Sequence, residues 1–292
     1  MMLLKTLREN FFTSLEGEYP DTEIQSFFNL LSESFLKMKR LDVSMNLYAP
    51  ISGKKVEKFE NAIKRLKNHE PVQYIIGVTE FYGLPFKVTE STLIPRPETE
   101  ELVQWVRDVA ISKTDTISIL DIGTGTGCIA ISLAENIQAA TVYAMDVSKK
   151  ALNVAKTNAK LNKVDVEFFE VDILDWKSDA WNSEFENLKF DIIVSNPPYV
   201  RELEKAQMSA NVLMHEPALA LYVADDDPLV FYKTIMEFSK AYLKTDGQIF
   251  FEINQYLGAE TLELLLHSDF INVELKKDIF GNDRMISGVK SS

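Results

Sequence analysis

A chain of 292 residues, 46% of them hydrophobic, carries enough apolar material for one large domain or two modest ones. Its 31 Lys and Arg against 44 Asp and Glu leave a formal net charge of −13, which argues against an extended nucleic-acid partner, because such proteins carry a basic footprint. The single cysteine, Cys128, excludes an intrachain disulfide, and His69, His215 and His267 lack metal-ligand spacing, so no metal site is expected.

The opening "MMLLKTLRENFF" has neither the apolar core nor the small-residue cleavage site of a signal peptide. No run of about 18 apolar residues follows anywhere, so a soluble, cytoplasmic protein without a membrane contact is expected. In "DTEIQSFFNLLSESFLKM" the apolar residues Ile24, Phe27, Phe28, Leu30, Leu31 and Phe35 recur at roughly helical spacing. "KKVEKFENAIKRLKNHEP" repeats the period through Val56, Phe59, Ile63 and Leu66, and Pro71 follows its end. Residues 1–70 therefore read as a helical module. The next stretch, "PVQYIIGVTEFYGLPFKVT", is rich in β-branched and aromatic residues and broken by Gly77, Gly83 and Pro85, which predicts short paired strands over 71–90.

From residue 91 to 292 the texture alternates. "ISILDI" (117–122), "TVYAMD" (141–146), "VEFFEV" (166–171), "FDIIVS" (190–195) and "GQIFFEIN" (247–254) are apolar strand candidates with helical patterns such as "KKALNVAKTNAKLN" between them. Alternation of β and α predicts a mainly parallel, doubly wound sheet.

The strand tips carry the chemistry. "LDIGTGTGCIAISLA" sets Gly123, Gly125 and Gly127 between the first strand and a helix, with a G-x-G-x-G spacing unlike that of dinucleotide enzymes. Asp121 is placed to hold that turn or a ligand's amino group. Asp146 ends the second strand, where a ribose diol is gripped in this architecture. Asp172 ends the third, able to accept from an adenine amino group, and Trp176 nearby offers a flat face. Each acid alone equally suits a helix cap or a turn; as a set they favour an adenosine ligand without pyrophosphate, as in S-adenosylmethionine. The fourth tip is Asn196-Pro197-Pro198-Tyr199. Alone it also suits a rigid loop closing a strand. Beside the other three tips it presents acceptors to a planar NH2 group: the Asn196 side-chain oxygen and the Pro197 carbonyl, stiffened by two fixed φ angles.

"NPPY" with "DIGTGTGCIAISLA" resembles the methyltransferases that alkylate planar amino groups. "EPVQYIIG", "EFYGLPFKV" and "TLIPRPETEELV" narrow the resemblance to the HemK/PrmC family, the glutamine-N5 methyltransferases of peptide chain release factors. The resemblance runs from about Pro71 to Arg284. It implies a class I, Rossmann-like S-adenosylmethionine-dependent methyltransferase fold behind a small helical N-terminal domain and a β-hairpin. It implies Asn196, Pro197 and Tyr199 as catalytic residues, with Tyr199 packing on the amide, and Pro198 and Arg96 as further substrate contacts. The implied cofactor set is Asp121, Gly123, Thr124, Gly125, Thr126, Gly127, Asp146, Val147, Asp172, Ile173, Trp176 and Asn196, with S-adenosyl-L-homocysteine as product. The implied acceptor is the Gln of the release factors' Gly-Gly-Gln loop, docked by the helical module of a monomeric enzyme, with no direct nucleic-acid binding.

"HEPALAL" resembles a further segment of the family and "GNDRM" its closing hairpin signature; His215 is expected to be structural or exposed. Cys128, at the start of a helix, is expected in the core. Three features depart from the family: "VADDDPL" (223–229) where glycines are common, Asn254 where glycine is common, and a long stretch between Trp176 and Asn196. Motif chemistry alone leaves three alternatives open: a glutamine of a ribosomal protein, adenine N6 or guanine N2 of nucleic acid, and a non-catalytic cofactor binder.

Overall fold

The computed structural model describes residues 1–112, 115–177, 185 and 187–291. Part of the stretch between Trp176 and Asn196 lies outside the described residues. The chain divides into two compact units, Met1–Val78 with Ser209–His215, and Thr79–Met208 with Glu216–Ser292.

The first unit contains β1 (Met2–Leu3), α1 (Leu4–Leu15), α2 (Asp21–Leu36), α3 (Arg40–Met45), β2 (Pro50–Ile51), α4 (Gly53–Lys67) and α5 (Val72–Ile76). Its helices form because the apolar residues fall on single faces and close around one core. Phe11, Phe28 and Phe59 stand at its centre with ring centroids 5.4 to 6.1 Å apart, the spacing at which aromatic pairs attract edge to face. α5 departs from the strands expected after Pro71. Pro71 fixes φ at −55° before the segment, and Gly77, at φ 80°, closes it by donating to the Gln73 carbonyl at 2.7 Å. These two punctuating residues outweigh the β-branched composition of "VQYII" over so short a span.

The second unit begins at Thr79, inside the first strand of the expected hairpin, β3 (Val78–Phe81) and β4 (Leu84–Lys87), followed by α6 (Pro97–Ala110). Then come β5 (Ile117–Ile122), α7 (Cys128–Asn136), β6 (Ala140–Asp146), α8 (Lys149–Asn162), β7 (Glu167–Glu170) and β8 (Phe190–Ser195). Beyond β8 lie β9 (Val200–Arg201), α9 (Ala210–His215, part of the first unit), β10 (Tyr222–Val223), α10 (Val230–Tyr242), β11 (Leu243–Glu252), α11 (Gly258–Leu266), β12 (Phe270–Lys277) and β13 (Asp283–Lys290).

Seven strands make the main sheet in the order β12-β13-β11-β8-β5-β6-β7. The pairs among β11, β8, β5, β6 and β7 are parallel, and β13 runs antiparallel to both β11 and β12. Successive residues of the central strands alternate between two apolar layers, as the period of a strand buried on both faces requires. Ile119, Ile192, Val194 and Phe250 pack with Leu102, Val103 and Val106 of α6 and Ile129 of α7. Leu120, Ile122, Ile193 and Phe251 pack on the other face with Tyr232, Ile235 and Phe238 of α10 and Leu265 of α11. Chain order reverses between β5 and β8, so a crevice opens at their carboxyl ends, where ligands bind in sheets of this type.

Candidate active site

The turn after β5 is held from behind. Asp121 is fully buried, and its Oδ2 accepts from the Thr124 hydroxyl at 2.6 Å and from the Ala130 amide at 3.3 Å. Burial pushes its carboxyl up to about 7 against the pull of those two bonds. Gly123 and Thr124 donate their amides to the Met145 carbonyl at 2.9 and 3.0 Å, which pins the turn to the tip of β6. Gly127 carries a φ of +82°, and a Cβ there would stand 2.8 Å from Ile131 Cδ1 and 3.2 Å from Ala155 Cβ. Only glycine lets α7 and α8 approach this closely in that backbone conformation.

Asp146 crosses to the turn. Its Oδ2 accepts from the Gly125 amide and its Oδ1 from the Ser148 amide, both at 2.8 Å. Burial raises its carboxyl above the usual range and these two bonds oppose the rise. Each oxygen keeps a second lone pair for another donor.

A cavity of about 190 Å³ lies over these tips, lined among others by Ile122, Gly123, Gly125, Asp146, Val147, Asp172, Ile173, Leu174, Ser195, Asn196, Pro197 and Pro198. The candidate cofactor residues thus fall into two groups. Gly123, Gly125, Asp146, Val147, Asp172, Ile173 and Asn196 line the cavity. Asp121, Thr124, Thr126, Gly127 and Trp176 are not among its lining residues. Thr124 and Thr126 are buried within the turn. Trp176 packs edge-on against Phe238 at 5.6 Å and Tyr242 at 6.1 Å, so its indole serves the apolar layer; the aliphatic wall at that end is Val147, Ile173 and Leu174. Asp172 uses Oδ1 to cap the short turn after it, accepting from the Leu174 amide at 2.9 Å.

A second, smaller pocket of about 50 Å³ is lined by Leu93, Arg96, Asn196, Pro197, Tyr199, Val200, Ala220, Leu221 and Glu252. Asn196 and Pro197 belong to both cavities. Arg96 pairs with Glu216, whose side chain is buried and whose Oε2 accepts from the Ile94 amide at 3.1 Å. The guanidinium therefore braces the segment before α6 as well as lining the pocket. Tyr199 donates its hydroxyl to Glu252 Oε1 at 3.0 Å. Burial and the facing carboxylate hold the phenol well above its usual range, so Tyr199 stays protonated.

Sequence reasoning singled out neither Glu252 nor Thr99. Thr99 Oγ1 donates to Glu252 Oε2 at 2.6 Å and accepts from Asn196 Nδ2 at 3.3 Å. A signal for Glu252 was present: a lone acid inside the apolar run "IFFEIN". Asn254, the departure from glycine, also has work to do here. Its Nδ2 donates to the Tyr199 carbonyl at 3.0 Å and to Glu204 Oε2 at 2.9 Å, while its Oδ1 accepts from the Tyr256 amide at 2.9 Å. It thus ties down the chain that follows the two prolines. In the "VADDDPL" departure, Asp225 accepts from the Leu203 amide and Asp227 pairs with Lys233 at 2.7 Å.

His215 lies apart from both cavities, its Nε2 2.7 Å from the Asn68 carbonyl. Cys128 is buried in the core, where burial pushes its thiol up to about 12, away from thiolate chemistry. No helix of the described residues is long and apolar enough to cross a membrane.

Residues 6–77 match the family model described as the PrmC N-terminal domain, and residues 108–222 match the methyltransferase small domain. The chain is 50% identical over 287 residues to the release factor glutamine methyltransferase of Flavobacterium psychrophilum, covering 98% of each protein. It is 42% identical over 274 residues to the enzyme of the same name from Bacteroides thetaiotaomicron, covering 94% of this chain and 95% of that one. Among solved structures, a human methyltransferase 10 domain containing protein superposes with a TM-score of 0.50 at 19% identity, covering 72% of this chain and 90% of that one. That likeness speaks to the fold, which is of the class I methyltransferase type. By identity across nearly its whole length, the chain belongs to the release factor glutamine methyltransferase family.

Proposed function

We propose that this protein methylates the N5 amide nitrogen of the glutamine in the Gly-Gly-Gln motif of peptide chain release factors, using S-adenosyl-L-methionine, as a cytoplasmic monomer that does not bind nucleic acid directly. The observation that carries the reading is the position of Asn196 and Pro197 in the walls of two cavities at once. The larger has the room and the lining for an adenosine bearing a short side chain. A Cβ built on Gly123 or Gly125 would meet nothing within 4 Å, so the turn leaves open space for a ligand against the backbone. Asp146 offers free lone pairs to a ribose diol, and Val147 and Ile173 offer apolar walls to a base. The smaller cavity suits the end of a side chain carrying a carboxamide.

When bound, the cofactor supplies an electrophilic methyl group and departs as S-adenosyl-L-homocysteine. The protein's part is positioning. An amide nitrogen is a weak nucleophile because its lone pair is delocalised into the carbonyl. Asn196 Oδ1 and the Pro197 carbonyl accept the two amide protons and turn the lone pair toward the larger cavity. With the carboxamide so held, its nitrogen would form the new N–C bond as the methyl group's bond to sulfur breaks, and one N–H proton would then be lost to solvent. No strong base is required, and Tyr199, held protonated, does not act as one. Fixed acceptors facing the charge that develops on nitrogen stabilise the transition state without reorganising.

The test is incubation with methyl-labelled S-adenosylmethionine and, separately, a release factor, a ribosomal protein and DNA. Label on the release factor is expected. Label on the ribosomal protein or DNA alone would replace this reading with a sibling activity.

A further inference from the structure

An asparagine side chain is nearly symmetric in shape, yet only one of its ends can accept a proton from a substrate NH2 group. With the carboxamide reversed, two NH2 groups would face each other and the substrate would be repelled. The two acceptors invoked above therefore need a device that fixes which way Asn196 points. We propose that Thr99 and Glu252 are that device: a buried hydroxyl and carboxylate that set the polarity of the Asn196 carboxamide. The inference rests on the methyl-transfer reading for its consequence, though the arrangement of the three side chains stands apart from it.

The argument is a count of protons. Thr99 is buried and its hydroxyl has one hydrogen. That hydrogen goes to Glu252 Oε2 at 2.6 Å, the stronger acceptor. Toward Asn196 the hydroxyl then presents a lone pair, so the group facing it at 3.3 Å is the Nδ2 donor. Oδ1 is left for the substrate. Glu252 is itself held, because its other oxygen accepts from the Tyr199 hydroxyl at 3.0 Å. The sheet brings the parts together. Phe251 of β11 is registered with Ser195 of β8, so Glu252 and Asn196 follow at neighbouring strand tips. Thr99 arrives from the first turn of α6, which Pro97 starts. Thr99 and Glu252 do not touch the reacting atoms; they are positioning residues.

Thr99→Val keeps the shape and removes both the donor and the lone pair, whereas Thr99→Ser keeps the hydroxyl. Methyl transfer to the release factor is expected to fall at least tenfold in kcat for Thr99→Val, with KM and the calorimetric Kd for S-adenosylmethionine changed less than threefold. Thr99→Ser is expected to recover kcat to within about threefold. Amide NMR supplies a readout that needs no turnover. The Asn196 side-chain NH2 signals, identified by their loss in Asn196→Asp, are expected to exchange with solvent at least tenfold faster in Thr99→Val than in wild type or Thr99→Ser. Should the valine variant not fold, Thr99→Ala is measured in the same two ways. Unchanged exchange together with unchanged kcat in the valine or alanine variant would overturn the proposal. A wild-type protein that methylates no release factor would overturn the functional reading instead, while the exchange measurement would still decide the role of Thr99.

Discussion

The two cavities that share Asn196 and Pro197 are built in different ways. The larger is assembled from consecutive strand tips: the turn after β5, Asp146 at the end of β6, Asp172 beyond β7 and Asn196 beyond β8. Each contribution sits beside its own structural signal. The smaller is assembled across long sequence separations. Thr99 meets Glu252 over 153 residues and Arg96 meets Glu216 over 120. Tyr199 and Glu252 of its lining pair with each other, while Arg96 and Asn196 are held by Glu216 and Thr99, which stand behind it. On the proposed function the larger cavity carries affinity and the smaller carries orientation, and substitutions separate the two.

The largest effect is expected where the cavities meet. Asn196→Ala should lower kcat by about 100- to 1,000-fold, the scale found when one preorganised polar group is removed from a transition state. The folded state should persist, because Asn196 lies just beyond the strand. Steady-state methylation with circular dichroism checks both. Next, Asp146→Ala should weaken S-adenosylmethionine binding by about 10- to 100-fold in calorimetry, the worth of one or two hydrogen bonds to a charged group, with little change in KM for the release factor. An equal loss on both sides would erase the division of labour.

Gly127→Ala tests what lies behind the larger cavity. The added Cβ meets Ile131 in a left-handed backbone conformation, so about 1–3 kcal/mol of stability should be lost in a denaturant titration. Cofactor affinity should change far less than in Asp146→Ala, since Gly127 supports the turn without lining the cavity.

The legibility of the two cavities follows from the same contrast. The strands, the glycine turn and the four tips could be read because period, punctuation and acid placement are local. Trp176 shows why an aromatic residue is hard to place from sequence: a flat face suits a ligand and an apolar layer alike, and here Phe238 and Tyr242 pack against it. "VQYII" misled because composition favours strand while the flanking Pro71 and Gly77 impose a helical turn. The Thr99–Glu252 contact could not be read, since no local pattern announces a pairing across the sheet. The antiparallel pairing of β12 with β13 was visible only as the signature "GNDRM".

A pH-dependent effect on stability, separate from both cavities, concerns Asp121. Its folded carboxyl is raised to about 7, above its ordinary value of 3.8. The folded state therefore holds a proton that the unfolded chain releases. The stability from this group is fully present below about pH 4 and is lost as pH rises through about 7. Asp121→Asn keeps an acceptor for Thr124 and Ala130 and does not titrate. The stability difference between wild type and variant should drift across this window, in favour of the variant as pH rises, by on the order of 1 kcal/mol per pH unit. Denaturant titrations from pH 4 to 8 measure it.

The central claim is that acceptors at the junction of two cavities present a glutamine carboxamide for methylation. Peptide mapping by mass spectrometry of a release factor treated with the protein and S-adenosylmethionine tests it most directly. One added methyl group on the side-chain nitrogen of the Gly-Gly-Gln glutamine is the expected result, lost when that glutamine is replaced. Methylation at another residue, or full methylation by the Asn196→Ala variant, would contradict the account.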